Sequence, residues 1–233
     1  MRSSTIISLI LLIQVLGNAQ NLEGKLQLVG DFQFLVSKGE SDYSVNTPLV
    51  QDELKIIEFA FAPRFGFFTN DLLSVGGFLE YSHRSEELLN SAFGDIQNDN
   101  IINTNILRLG PFARIHKRIN EQFFLYLQTD IKVGFGKVKN DLNTREFLNG
   151  DFVLQSDLIE ENVLELGLNV RPGILFMVTE NFGLEGSLGL LGYNVERFRL
   201  ADTSLDEPPK NNNQDLGLSF NSRDLRVGLQ FYL

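Results

Sequence analysis

Leu225-Arg226-Val227-Gly228-Leu229-Gln230-Phe231-Tyr232-Leu233 closes the chain as an alternation of apolar with polar or small residues. That is the two-residue period of a strand with one apolar face. Such a strand suits a soluble sheet or a membrane barrel, and the other end of the chain decides between them. Met1 to Ala19 carries Arg2, an apolar run from Ile6 to Leu16 and the small-residue cleavage site Gly17-Asn18-Ala19, the layout of a secretory signal peptide. The apolar run is too short for a spanning helix, and nothing later supplies 18 continuous apolar residues. An exported chain of alternating segments then points to a closed transmembrane β-barrel, in which every backbone group finds a partner. The expected organisation is a signal peptide over 1–19 and one outer-membrane β-barrel domain over 20–233.

Composition narrows the functions. The chain has 20 Lys plus Arg against 30 Asp plus Glu, a net charge of -10, which argues against nucleic acid, since that partner needs a basic footprint. With no cysteine there is neither a thiolate nucleophile nor a thiolate metal site. Twenty Phe and no Trp suit a wall that can turn its aromatic rings toward lipid.

The alternation recurs along the chain. Strand positions are expected over Lys25 to Val36, Leu54 to Phe68, Leu73 to Arg84, Thr104 to His116, Phe123 to Gly136, Asn162 to Met177, and from Phe182 on, with the closing stretch as the eighth. In the fifth, Phe123, Leu125, Leu127, Ile131, Val133 and Phe135 share one face against Tyr126, Gln128, Asp130, Lys132, Gly134 and Gly136. Pro63, in the middle of the second, predicts a local bulge or irregularity. Leu216, Leu218 and Phe220 are out of phase with Leu225 to Leu233, which requires a bulge near Asn221 to Asp224 or a small extra hairpin.

Between these strands, 38–52, 85–103, 137–161 and 199–214 read as long polar loops, with a short helical turn at Glu86 to Leu89 and a cap over the barrel mouth from Phe147, Leu148, Phe152, Val153 and Leu154. Thr69-Asn70-Asp71, Lys117 to Glu121 and Thr179-Glu180-Asn181 read as tight turns. The connections alternate long and short, as in an eight-stranded antiparallel up-and-down barrel of the bacterial outer membrane, with both termini on the periplasmic side. A soluble meander barrel would turn its Phe and Leu face inward, leaving the charged and small face outside.

Leu109-Gly110-Pro111-Phe112, Val170-Arg171-Pro172-Gly173-Ile174, the two Thr-containing turns, Phe182-Gly183-Leu184-Glu185, Leu191-Gly192-Tyr193 and the terminal strand together resemble the Bacteroidetes-type outer-membrane barrels of the porin-like or PorT-like superfamily. More distantly they resemble small barrels of the OmpA and OmpX kind. The resemblance implies recognition by the outer-membrane assembly machinery through the terminal strand, with Leu225, Val227, Leu229, Phe231 and Leu233 as the assembly signal, although such proteins usually end in Phe. It implies no catalytic residues.

The inward register collects Lys25, Arg64, Arg108, Arg114, Lys132, Arg171 and Arg226 against Asp31, Glu58, Glu80, Asp130, Glu165 and Glu185. Buried together, these charges must pair, and an eight-stranded barrel is just wide enough for side chains to fill. The expected lumen is plugged by this ion-pair network. The alternative is a narrow channel for ions or small solutes. A third reading, a lipid-active hydrolase, rests on His83 with Ser85 and an acidic orienter. His116 is expected at the periplasmic rim in an interfacial role. No cofactor and no metal site are expected, since no phosphate loop, paired histidine or calcium loop is present. The acidic stretches 95–99, 151–161 and 202–207 are candidate surfaces for divalent cations, lipopolysaccharide bridging or a protein partner at the extracellular loops. The leading function is structural or interactive, exerted through those loops from an outer-membrane anchor in contact with lipid and lipopolysaccharide.

Overall fold

The computed structural model describes residues 22–43, 50–92, 96–148, 151–189, 191–200, 210–218 and 225–233. All strands pair antiparallel: β1 (Leu26–Tyr43), β2 (Val50–Phe68), β3 (Leu73–Ala92), β4 (Ile96–Arg118), β5 (Phe123–Leu148), β6 (Asp151–Met177), β7 (Phe182–Ser187), β8 (Leu191–Leu200), β9 (Lys210–Leu218) and β10 (Arg226–Tyr232). β7 and β8 lie end to end against β6, and β10 and β9 lie end to end against them, so ten segments make eight staves. β10 pairs with β1 from Gln27↔Tyr232 to Phe32↔Val227 and closes the ring.

The ladder registers fix the stagger of the barrel. Extending each register once around the ring, from Glu23 through Tyr126, Ser187 and Arg226 back to Gln33, advances ten residues along β1. With eight staves that shear tilts the strands by roughly 40°. On β5 the outward apolar set runs from Phe123 to Phe135, about 40 Å along the strand and roughly 30 Å along the barrel axis, the thickness of a hydrocarbon core. The other staves repeat it: Leu28, Phe32 and Phe34 on β1, Phe65 and Phe67 on β2, Leu107 and Leu109 on β4, Leu166 and Ile174 on β6 are all exposed. Gln27, Asp31, Arg64, Arg114, Gln128, Asp130 and Glu165 on the opposite faces are buried. An apolar exterior around a polar interior is the transmembrane, not the soluble, form of the fold.

Several expectations from the sequence are corrected. Where they are described, the residues expected in long loops are strand. β3 and β4 continue to the pair Ala92↔Ile96, and β5 and β6 to Leu148↔Asp151. The expected helical turn at Glu86 to Leu89 lies within β3, in register with Ile102 to Asp99 of β4. The hydrophobic residues assigned to a cap over the mouth extend the β5–β6 ladder instead, as in Phe147↔Phe152. Residues 202–207 and 221–224 lie outside the described residues.

Position 63 is a local irregularity and not a bulge. The β2–β3 register is the same on either side, Phe61↔Tyr81 and Arg64↔Phe78, so Pro63 costs the ladder locally without a bulge. The slip is at Pro172 instead. Gly173 pairs with Ser187 but Val170 pairs with Leu191, one extra residue on the β7–β8 stave, and Leu188 N donates to the Pro172 carbonyl at 3.1 Å. Past the slip the outward side chains are Leu191 and Tyr193, where Leu184 and Leu188 faced out below it.

Candidate functional site

The interior of the barrel is the site, and its inward residues stack in layers from the turn end upward. At the bottom, Leu22, Phe68, Phe124, Tyr126, Leu175, Met177 and Tyr232 form an apolar plug. Leu22 enters it from the segment before β1, held by Leu22 N and Glu23 N, which donate to Asp71 Oδ1 of the β2–β3 turn at 3.0 and 3.2 Å. His116 belongs to this layer and not to the rim. It is buried, with its ring 4.9 Å from that of Phe68 and 6.1 Å from that of Tyr126. The residue follows the inward parity of Phe112 and Arg114, and the neighbouring Lys117 and Arg118 are exposed at the end of β4.

Above the plug lies Arg114. Its Nη1 and Nη2 donate to the two oxygens of Glu185 at 2.6 and 3.0 Å, the bidentate geometry that suits a guanidinium. Nε and Nη2 also donate to Gln128 Oε1, Nη1 reaches Gln230 Oε1, and the guanidinium carbon sits 4.0 Å over the Tyr126 ring. The next layer is a four-charge chain. Arg64 Nε donates to Asp31 Oδ2 at 2.6 Å and Nη1 to Asp130 Oδ1 at 3.1 Å, and Arg171 Nη2 donates to Asp130 Oδ2. Phe78 and Phe112 pack against the Arg64 guanidinium.

The third layer forms a floor. Arg108 donates through Nε to Glu165 Oε2 at 2.7 Å and through Nη1 to Glu80 Oε1 at 3.1 Å and Ser82 Oγ at 2.6 Å. Lys132 takes the other oxygen of Glu165, and Arg226 the other oxygen of Glu80. Over it opens a cavity of 550 Å³, with Glu58, Arg84, Thr104, Asn194 and Phe198 in its walls.

Twelve of the thirteen charges assigned to the interior from the sequence therefore face the lumen in contact with one another or with the cavity above them. Lys25 stands apart, half-buried at the turn end and outside these ion pairs. Glu58 accepts a 3.4 Å bond from Gln33 Nε2 and forms no salt bridge among the described residues. The neutral amides Gln128 and Gln230 were not among the assigned residues, although Gln128 bridges Arg114 to Asp130 and Gln230 accepts from Arg114. Their parity was the only signal available, and it marks them as inward. Leu225, Val227, Leu229, Phe231 and Leu233 all point outward and are exposed.

His83 is on the outer surface, where its Nδ1 meets Asn105 Oδ1 at 2.9 Å, an oxygen that also accepts from the Tyr81 hydroxyl. Ser82 points the other way, into the floor. Among the described residues, no group of three or more His, Asp or Glu side chains is placed to hold a metal ion.

No family model matches the chain, and no curated protein matches it. Among solved structures it is similar to the N-terminal β-barrel domain of Pseudomonas aeruginosa OprF, at 10% identity over 92% of this chain and 100% of that one, with a TM-score of 0.30. It is similar to Ail, the attachment invasion locus protein of Yersinia pestis, at 17% identity over 91% and 99%, with a TM-score of 0.32. The translocator domain of the autotransporter NalP from Neisseria meningitidis matches at 9% identity over 98% and 94%, with a TM-score of 0.33.

Proposed function

We propose that this chain is a non-conducting anchor barrel of the bacterial outer membrane that acts through the parts of its wall rising beyond the lipid. The observation that carries the reading is the double closure of the lumen, by the apolar plug around Leu22, Phe68 and Tyr232 and by the charge layers around Arg114, Asp130 and Glu165. A conduit would leave one side of its charges facing water. Here the Arg64 and Asp130 side chains are 0% and 1% exposed, and they pair with each other and with Asp31 and Arg171 inside the lumen.

The exterior supports the membrane assignment through its belt of exposed Phe and Leu. The short turns, the Leu22 segment and the β10 end all lie at one end, which under the outer-membrane pattern is the periplasmic one. The long β3–β6 ladders then project outward, where lipopolysaccharide or a protein partner would meet them. The outward row Leu225, Val227, Leu229, Phe231 and Leu233 fits recognition by the assembly machinery, and Met1 to Ala19 fits export. The resemblance to Bacteroidetes-type barrels agrees with all of this.

Single-channel conductance of the mature chain, residues 20–233, refolded into a planar bilayer tests the reading. Protein that inserts and stays silent is the expected result. Stable stepwise current would overturn it and make the layered charges selectivity elements of a narrow channel.

A further inference from the structure

The cavity above the floor has charges of opposite sign with capacity to spare. The floor sets three cations, Arg108, Lys132 and Arg226, over two carboxylates, Glu80 and Glu165. Glu165 is divided between Arg108 and Lys132, and Glu80 between Arg108 and Arg226. Lys132 has three ammonium donors and spends one on Glu165. Arg108 spends Nε and Nη1 within the floor and lines the cavity. On the wall above stands Glu58, a carboxylate with no salt bridge among the described residues and one long bond from Gln33. Arg84, its cross-strand neighbour in the β2–β3 ladder, is turned to Glu86 at 2.5 Å.

We propose that this cavity is a binding site for a small zwitterion of the amino-acid or short-peptide class, its carboxylate on Arg108 and Lys132 and its ammonium on Glu58. A ligand with both charges compensates the surplus positive floor together with Glu58, which forms no salt bridge among the described residues. A plain anion would leave Glu58 uncompensated and add its own repulsion to it, and a plain cation would meet the floor's excess charge. The 550 Å³ volume falls within the range of small-molecule sites, ~300–1,000 Å³. Ser82, Thr104, Asn169 and Asn194 add uncharged hydrogen-bonding groups along the walls, with Ile106, Val163 and Phe198 between them. Binding requires no passage through the barrel, so it is independent of whether the lumen conducts.

The experiment is titration calorimetry of the mature chain in detergent micelles, with its fold checked by heat-modifiable gel mobility. The probes are trialanine, N-acetyl-trialanine, trialanine amide and maltose. Trialanine should bind, and removal of either terminal charge should weaken it about tenfold, the equivalent of about 1.4 kcal/mol. Glu58→Gln should make trialanine and its N-acetyl form equal, while Lys132→Met should make trialanine and its amide equal. Equal binding of all three peptides to the wild-type chain, maltose binding as tightly as trialanine, or no heat from trialanine at millimolar concentration with folded protein would each overturn the proposal.

Discussion

Arg64 of β2 and Arg171 of β6 stand on staves that face each other across the lumen, and one carboxylate, Asp130 of β5, accepts from both. Asp31 accepts from Nε of Arg64 on the β1 side. The chain Asp31–Arg64–Asp130–Arg171 therefore ties four staves together through the centre of the barrel. Because each group is buried, its stability depends on completeness, and a half-compensated interior charge is costly.

Asp130→Asn keeps the shape of the side chain and removes its charge. It leaves Arg171 without its carboxylate and Arg64 with Asp31 alone. The expected loss is about 3–5 kcal/mol, the range for breaking one partner out of a buried pair. Denaturant unfolding in lipid vesicles, followed by circular dichroism, measures it. A loss below about 1 kcal/mol, the range of an exposed pair, would show that water reaches this layer.

Ile131 and Leu158 are equally exposed, at 57% and 58%, yet Ile131 lies inside the apolar belt of β5 and Leu158 on β6 pairs with Asp141 beyond it. Exposure alone predicts the same tolerance for Arg at both. If the belt is in lipid, Ile131→Arg costs about 2–4 kcal/mol and Leu158→Arg about 0–1 kcal/mol. Unfolding free energies of the two variants in the same vesicles decide the point, and equal values would remove the belt from the bilayer.

What was legible in the sequence follows from this same contrast of environments. Where one face meets lipid and the other the lumen, the side chains alternate, and inward residues such as Asp31, Arg64, Glu80 and Arg114 could be read off by parity. Above the belt both faces meet water, the alternation fades, and stretches such as Gln97-Asn98-Asp99-Asn100 look like loops although they pair within β4. Partners such as Asp130 for Arg64 were out of reach for another reason. They are set by the ten-residue stagger, a property of ring closure that no single strand carries. His116 obeyed its parity, but its basic neighbours Lys117 and Arg118 masked it.

Gly66 and Gly76 are paired across β2 and β3 and make a slot for the Phe112 ring. A Cβ on Gly76 would stand 2.5 Å from the Gly66 Cα and 2.9 Å from Phe112 Cε1, and would collide with the Phe65 carbonyl. On Gly66 it would meet the Phe112 ring at 2.8 Å and the Val75 carbonyl at 3.0 Å. The ring can tilt, whereas the neighbouring backbone cannot. Gly76→Ala should therefore cost about 1–3 kcal/mol and Gly66→Ala less, read from the refolded fraction on a heat-modifiable gel. The reverse order would mean that the Phe112 ring, and not the strand backbone, is the rigid wall of the slot.

Lys139 and Glu160 are register partners on the ladder above the belt, with Nζ 2.6 Å from Oε1. The hydrogen bond from Lys139, reinforced by its charge, holds the Glu160 carboxyl below its ordinary value, and the same contact raises Lys139. For Glu160, a lowered folded-state value means the contribution is present above the ordinary carboxylate range and lost as pH falls through the lowered value. For Lys139, a raised value means it is present below the ordinary lysine range and lost as pH rises through the raised one. Between those limits the pair is fully formed. Its contribution is small because both groups are exposed and salt screens them. An NMR titration of the Glu160 carboxyl should give a midpoint under the usual glutamate range in the wild-type chain and a return toward it in Lys139→Met. Protection factors of the slow amides across the β5–β6 ladder near Val138, taken relative to the intrinsic exchange rate at each pH, should also fall slightly at acid pH in the wild type and be less pH-dependent in the variant. An unchanged Glu160 midpoint on loss of the lysine would show that the two side chains do not meet in solution.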